Sequence, residues 1–396
     1  MLCIFLNGIS SGLPLLLIGS TLKAWMRESN VDLTVIGLFA FVGIPYTFKF
    51  LWSPLMDRFT PPFLGFLGRR RGWILSCQAM LAFLLSLLAI EDPARFPLWV
   101  AILSLAVAFV SASQDIAIDA YRRDILSDEE LGLGSSLAVN GYLVGMFIAG
   151  ALALTLADHM AWRWVYMVMS GLLVLSMGVT LLSPDADKGI SSPATLAEAV
   201  VMPFVEFIRR QHAFEILLFV LLYKLGDSMA SDMFVPFYID LHFTKTQIAA
   251  VSKVVGFWGT MAGGFLGGLG MVRLGIPGSL WIFGLLQTGS TFGFSALASL
   301  GHSLPALTCV VLLEALATGM ARSAYIGFMA SLCDRRFTAT QYALISSVAG
   351  VPRVILGASS GYFAKTLGWH AYFLFCTLLH LPGMLLLLRQ RKWLKT

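Results

Sequence analysis

Charge is what this chain has least of. Asp, Glu, Lys and Arg make up 12% of its 396 residues while 58% are hydrophobic, and mean hydropathy is +0.81. Soluble domains carry about 25% charged residues, so a water-soluble globule is excluded. Cysteine is equally thin: Cys3, Cys77, Cys309, Cys333 and Cys376 form no CxxC pair, which argues against a disulfide framework or a thiolate metal site. Six histidines are scattered along the chain and make no ligand cluster. No HExxH motif occurs, so a metalloprotease is not indicated. No connection between apolar runs exceeds about 30 residues, which leaves a receptor or sensor no soluble input or output domain. No metal, cofactor or nucleic acid is expected, and the net charge of +5 has a simpler origin.

What the chain does have is a series of apolar runs of roughly 20 residues, the length that crosses a ~30 Å hydrocarbon core as helix. Twelve such spans are expected, at 2–25, 35–56, 73–90, 98–119, 132–157, 164–183, 214–237, 247–270, 279–300, 305–331, 342–365 and 371–388. The first lacks a basic leader and is interrupted by Asn7, Gly8, Ser10, Gly12 and Pro14, so it reads as a retained helix and not a signal peptide. Lys and Arg in short connections resist translocation and mark the cytoplasmic side. With the amino terminus inside, inner connections and tail hold sixteen of the 27 basic residues, and outer connections hold five: Arg27, Arg95, Arg163, Lys245 and Lys365. Both termini are therefore expected in the cytoplasm, and the positive surplus is a topology signal.

The longest connection, 184–213, contains a mildly amphipathic stretch and separates six spans from six. The expected organisation is an amino-terminal bundle over 1–183, a linker over 184–213 and a carboxy-terminal bundle over 214–396. A weak repeat supports related halves: DLTVIG (32–37) resembles TKTQIA (244–249) and SSLA (135–138) resembles SSVA (346–349), at offsets of 212 and 211. Parallel six-helix halves are one way to build a transporter with a site near the midplane.

A charge facing lipid costs about 2.5–3.5 kcal/mol at the bilayer centre on insertion scales, so ionisable residues inside spans point to function. Spans 1, 2, 4, 7, 8, 10 and 11 carry them, whereas spans 3, 6, 9 and 12 carry none, as expected if every third helix faces lipid and the others surround a polar cavity; span 5 lacks charge too, with Asn140 and Tyr142 as its polar spot. Lys49 lies about two turns inside span 2 with Tyr46 and Trp52 on the same face, facing the cavity or snorkelling to the interface. Ser111, Asp115 and Asp119 recur at i, i+4 and i+8 on one face of span 4, beside Ser113 and Gln114. Two such carboxylates repel, and Asp119 has the alternative of pairing with Arg122 and Arg123. In span 7, Lys224 and Asp227 are spaced to pair, and Glu314 has the same option with Arg322 or Arg353. Any of these pairs could instead only hold helices together. Trp25, Trp52, Tyr46, Tyr223 and Trp258 offer rings for stacking on a bound ligand, or belong to the aromatic belt.

Three stretches carry a resemblance to a known family. GSTLKAWM (19–26), SPLMDRF with RRRGW (53–59, 69–73) and SASQDIAIDA (111–120) together closely resemble the AmpG-type muropeptide permeases of the major facilitator superfamily, most strongly over residues 8–180. The resemblance implies an all-α fold of twelve transmembrane helices in two six-helix bundles, rocking between outward- and inward-open states. It implies a monomeric carrier in the bacterial inner membrane that imports N-acetylglucosaminyl-1,6-anhydro-N-acetylmuramyl peptides with protons, with another organic anion such as acyl-CoA as the alternative cargo. Lys49, Tyr46, Trp52, Ser113, Gln114, Lys224, Arg322 and Arg353 are then the candidate substrate-binding residues, and Asp115, Asp227 and Glu314 the candidate proton acceptors. Asp57, Arg58, Arg69, Arg70 and Arg71 resemble the superfamily's gating motif between helices 2 and 3, or mark topology alone. The corresponding second-half stretch, GGLGMVRLG (267–275), has Met271 where the acid would stand, so any such lock is one-sided.

Overall fold

The computed structural model describes residues 1–62, 64–186, 195–244, 247–248, 250–355, 357–389 and 393. Among these the chain is helical throughout, with no strand. Eight helical stretches are long and apolar enough to cross a membrane: Leu2–Glu28, Arg69–Ile90, Pro97–Ile125, Leu131–Ala157, Trp162–Leu182, Ala250–Leu300, Leu304–Ser331 and Trp369–Arg389. The stretch Ala250–Leu300 contains two spans, because Gly275 turns at φ 67° and ψ 170° with Pro277 just beyond; a positive φ there is open to glycine at no steric cost. Two further stretches, 33–58 and 213–240, are helices in pieces, and with the helices Thr338–Ile355 and Gly357–Leu367 as a third they complete twelve. Part of the linker, 187–194, and Lys245, Thr246 and Ala249 of the second repeat copy lie outside the described residues.

The interruptions have local causes. In span 2 the segments Ile44–Phe48 and Ser53–Arg58 each begin with a proline in the first turn, Pro45 and Pro54, where its fixed φ and missing N–H suit a helix start and end whatever precedes it. Between them Lys49–Leu51 forms a 3-10 turn. In span 7, Ala213–Tyr223 stops at Lys224 (φ −102°, ψ 6°), and Leu225–Asp232 follows. Lys49 and Lys224 therefore both sit at helix breaks.

The residues divide into two compact units. The first comprises Met1–Ser127, Leu137–Phe204 and Cys333–Ser347, and the second Asp128–Ser136, Val205–Leu332 and Val348–Thr396. The first has a core of Leu13, Leu17, Leu22, Leu81, Leu85, Val107 and Tyr166 among others; Trp25 is buried there, stacked 6.0 Å from Trp162. The second is centred on aromatic rings, with Phe234 and Phe294 4.3 Å apart and Phe237 and Phe373 4.8 Å apart. Phe83, Leu175, Leu285 and Leu385, of spans 3, 6, 9 and 12, are exposed, as lipid-facing helices require.

Spans 1 and 5 approach backbone to backbone. A Cβ on Gly8 would lie 2.6 Å from the Ala138 carbonyl, and one on Gly141 would run into the Phe5 carbonyl. In the second unit Gly263 and Gly319 are in the same position, against the carbonyls of Leu316 and Thr260. Small residues allow this approach where lipid gives helices no hydrophobic reason to associate. Replacing Gly141 or Gly263 with Leu is expected to destabilise the purified protein by at least about 1–3 kcal/mol through overpacking, lowering its unfolding midpoint. Gly171, which has open space where a Cβ would go, should accept Ala without loss, and equal melting of all three variants would contradict the close approach.

Candidate functional site

Both units hold buried polar networks. In the first, Ser11 donates to Asp115. Asp119 takes the Lys49 ammonium at 4.0 Å on one oxygen and the Arg122 guanidinium at 3.0 Å on the other. Arg122 lies 5.3 Å over the ring of Tyr342, so the pairing of Asp119 with Arg122 open in the sequence is the one formed, and Lys49 joins it. Trp52 donates its indole N–H to Ser113 (3.0 Å) and packs 4.7 Å from Phe109, while Tyr46 packs against the apolar core. Gln114 donates to Ser10, which also accepts from Gln78 (3.2 Å), and Thr180 donates to the Gln78 oxygen (2.9 Å).

A second cluster in the same unit surrounds Asp57, which has no exposed surface. Arg70 donates to Asp57 at 2.9 Å and to Asp124 at 2.7 Å. The remaining capacity of Asp57 is taken by the start of the helix Thr338–Ile355: Ala339 N–H (3.2 Å), Thr340 N–H (2.8 Å) and the Thr340 hydroxyl (2.7 Å). Thr338 donates to Asp124 at 2.7 Å. First-turn N–H groups have no partner inside their own helix and carry the positive end of its dipole, so a carboxylate there acts as a cap supplied from elsewhere in the chain. Arg69 and Arg71 hold backbone instead, Arg69 the Asp57 carbonyl and Arg71 those of Leu67 and Ser183 (2.9 Å each). Arg58 lies 5.3 Å over Phe59. In the second unit Met271 is buried against Gly132, 2.9 Å from where a Cβ would stand, near the start of the helix Leu131–Phe147. The place of the acid is filled by an apolar contact.

The second unit's network is built on Gln287. Lys224 bonds Asp227 (3.0 Å) and approaches the Gln287 oxygen (3.4 Å). The Gln287 nitrogen donates toward Asp227 and Glu314, each at 3.0 Å, and lies 2.7 Å from the Thr318 hydroxyl. Ser290 and Thr318 both donate to Glu314. Glu314 thus meets hydroxyls and an amide, where the sequence offered it Arg322 or Arg353. Arg322 is half-buried and within electrostatic reach of Asp227, and the Arg353 side chain lies outside the described residues. His380, buried, joins its Nδ1 to the Cys376 carbonyl (3.0 Å) and lines a small pocket with Tyr223, Gly284, Gln287 and Met384. Tyr223 is buried and stacked on Tyr325 at 5.5 Å, so neither it nor Trp25 has a ring free for a sugar. Trp258 is 59% exposed. Among the described residues no group of three or more His, Cys, Asp or Glu could hold a metal.

Sequence reasoning missed Gln78, Thr180, Gln287 and His380, all on spans with no formal charge, and Asp124 with Thr338 and Thr340, which complete the Asp57 cluster. A lone amide in an apolar run was the available signal: it needs a partner for the same reason that a charge does, with less at stake.

A family model described as Major Facilitator Superfamily matches residues 1–357. The chain is 42% identical to the anhydromuropeptide permease of Escherichia coli K12 over 390 residues, covering 98% of this chain and 79% of that protein. It is 38% identical to an uncharacterized protein of Haemophilus influenzae, over 98% and 93% of the two chains. Among solved structures it is similar to a proton:xylose symporter bound to 6-bromo-6-deoxy-D-glucose, with a TM-score of 0.70 at 11% identity over 99% of this chain and 94% of that one; this likeness shows the fold alone.

The Asp57 cluster makes a stability prediction. Asp57→Ala or Asp124→Ala removes one of the two carboxylates that hold Arg70 and leaves the other to balance it, which is expected to cost at least the roughly 1.5–3 kcal/mol of a charged hydrogen bond in unfolding of the purified protein. Because only the double variant leaves Arg70 an uncompensated buried charge, it should cost measurably more than the sum; strictly additive losses would show that Arg70 does not link them.

Proposed function

This chain belongs to the major facilitator superfamily and, within it, to the family of the anhydromuropeptide permeases, and from that premise we propose that it imports N-acetylglucosaminyl-1,6-anhydro-N-acetylmuramyl peptides into the cytoplasm. The observation that carries the reading is the 42% identity to the Escherichia coli anhydromuropeptide permease across nearly the whole chain. The buried networks fit it chemically. The stem peptide of such a cargo is anionic, and Lys49 and Lys224 are cations held by acids, Asp119 and Asp227, that can trade partners. Lys49, Tyr46, Trp52, Ser113, Gln114, Lys224, Arg322 and Arg353 bind the cargo in this reading. Import runs on the proton gradient, with Asp115, Asp227 and Glu314 as proton acceptors, and proceeds by alternating access of the halves 1–183 and 214–396 about the linker 184–213. Asp57, with Arg58, Arg69, Arg70 and Arg71, closes the cytoplasmic side by holding the start of the helix Thr338–Ile355. The protein works as a monomer in the inner membrane with both termini in the cytoplasm, which the sixteen-to-five distribution of basic residues supports.

Uptake of labelled anhydromuropeptide into energised membrane vesicles, with acyl-CoA and simple sugars as competitors, tests the cargo. Unlabelled anhydromuropeptide should compete and the others should not; the reverse would assign another organic anion. Lys224→Ala and Arg322→Ala are each expected to weaken the affinity about tenfold to a hundredfold, the effect of removing a charge-assisted hydrogen bond worth about 1.5–3 kcal/mol. Unchanged affinity in both would make them structural ion pairs.

Coupling is tested separately. Asp115→Asn, Asp227→Asn and Glu314→Gln are compared in gradient-driven accumulation and in counterflow, because exchange at equilibrium needs no net proton movement. The variant that has lost the proton acceptor should lose accumulation far more than counterflow. Full accumulation in all three would remove these acids from the proton path.

A further inference from the structure

Gln287 is 2% exposed, and its carboxamide nitrogen has three oxygens within reach: Asp227 Oδ1 and Glu314 Oε1 at 3.0 Å and Thr318 Oγ1 at 2.7 Å. The nitrogen has two hydrogens and no acceptor capacity. Glu314 is itself surrounded by donors, receiving Ser290 on one oxygen and Thr318 (3.1 Å) with Gln287 on the other. This arrangement suits an ionised Glu314, which only accepts. On the far side of the same amide, the Gln287 oxygen faces the Lys224 ammonium at 3.4 Å, while Lys224 keeps Asp227 at 3.0 Å.

A proton on Glu314 inverts the demand. The acid must now donate, and the amide nitrogen opposite cannot accept. Rotating the carboxamide by half a turn about its last torsion, which is soft and roughly two-fold, presents the Gln287 oxygen to the acid and the NH2 group to Lys224, and gives up the N–H bond to Asp227. The ammonium loses an acceptor and gains a fellow donor. Lys224 and Gln287 then offer N–H groups side by side, the fork that a carboxylate takes up with its two oxygens. Lys224 retains 14% side-chain exposure and Asp227 18%, so the pair is reachable. We propose that Gln287 is a carboxamide switch, a positioning residue that reads the protonation of Glu314 and, by turning, sets an N–H group beside the Asp227-held Lys224 to complete a carboxylate-binding fork.

The switch rests on the proton-coupled import proposed above and adds its order: proton first, anionic cargo second. Other ionisable groups face the same cluster. Tyr223 and His380 line the pocket beside the amide, Tyr238 lies near Glu314, and Arg322 acts on Asp227 from span 10. Among the described residues, the amide is the group that touches both acids and the lysine.

The test is the affinity of the purified full chain for anhydromuropeptide as a function of pH, in wild type, Gln287→Met, Gln287→Glu and Glu314→Gln. Wild-type affinity should fall about tenfold from mildly acidic to mildly alkaline pH, a usual size for coupling between two sites. Gln287→Met, which keeps the length and removes the amide, should flatten that dependence, and combining it with Glu314→Gln should flatten it no further. Gln287→Glu, which keeps hydrogen bonding but brings a third carboxyl to the lysine, should bind more weakly across the range. A Gln287→Met protein that melts like wild type and retains the wild-type pH dependence overturns the switch. Failure of wild-type vesicles to accumulate anhydromuropeptide under a proton gradient would instead overturn the import reading, so the two can fail separately.

Discussion

A bare charge in hydrocarbon costs several kcal/mol, and much of this structure follows from how that cost is offset. Lys49 and Arg122 share Asp119, Lys224 has Asp227, and Arg70 stands between Asp57 and Asp124. Where acids outnumber bases, hydroxyls and amides make up the difference: Ser11 serves Asp115, and Gln287, Ser290 and Thr318 serve Glu314. Each of these groups is fixed because another is. That interdependence lets a change at one, such as a proton or an arriving carboxylate, be felt at its neighbours.

The architecture was legible because hydrocarbon thickness sets a length that a sequence must meet, so twelve spans could be placed from apolar runs. The charged positions were legible for the same energetic reason. Lys224 pairs with Asp227 at the spacing the helix dictates, even though the helix breaks at Lys224 itself. Partners from distant segments were not legible. Nothing local to Asp57 announces that Ala339 and Thr340 will cap on it, some 280 positions away, and nothing local to Glu314 announces Gln287. Counting formal charges also set aside spans 3, 6, 9 and 12, whose outer faces are apolar but whose Gln78, Thr180, Gln287 and His380 point inward. The aromatics misled in the other direction, since Trp25 and Tyr223 are spent on core stacking.

The two halves answer equivalent positions differently. In one, the start of the helix Thr338–Ile355 is held by a carboxylate that accepts two backbone N–H groups and a hydroxyl. In the other, the start of the helix Leu131–Phe147 meets Met271. The first contact is directional and demands one geometry. The second is a thioether against glycine, which tolerates sliding. The two contacts thus combine one rigid clasp and one adaptable seat.

The broken helices bear on how the protein is made. Spans 2 and 7 are interrupted, and neither is among the eight stretches that are long and apolar enough to enter a membrane on their own merits. Spans 2 and 7 also carry Lys49, and Lys224 with Asp227, residues that weigh against insertion by roughly 2.5–3.5 kcal/mol each at mid-helix. They must then be accepted by the insertion machinery together with a neighbour that supplies apolar surface or an opposite charge: span 4 brings Asp119 to Lys49, and span 9 brings Gln287 to Lys224. A nascent chain halted after span 2 would present a helix with no partner for its lysine, and biogenesis would have to hold that segment in waiting until two more spans had been synthesised.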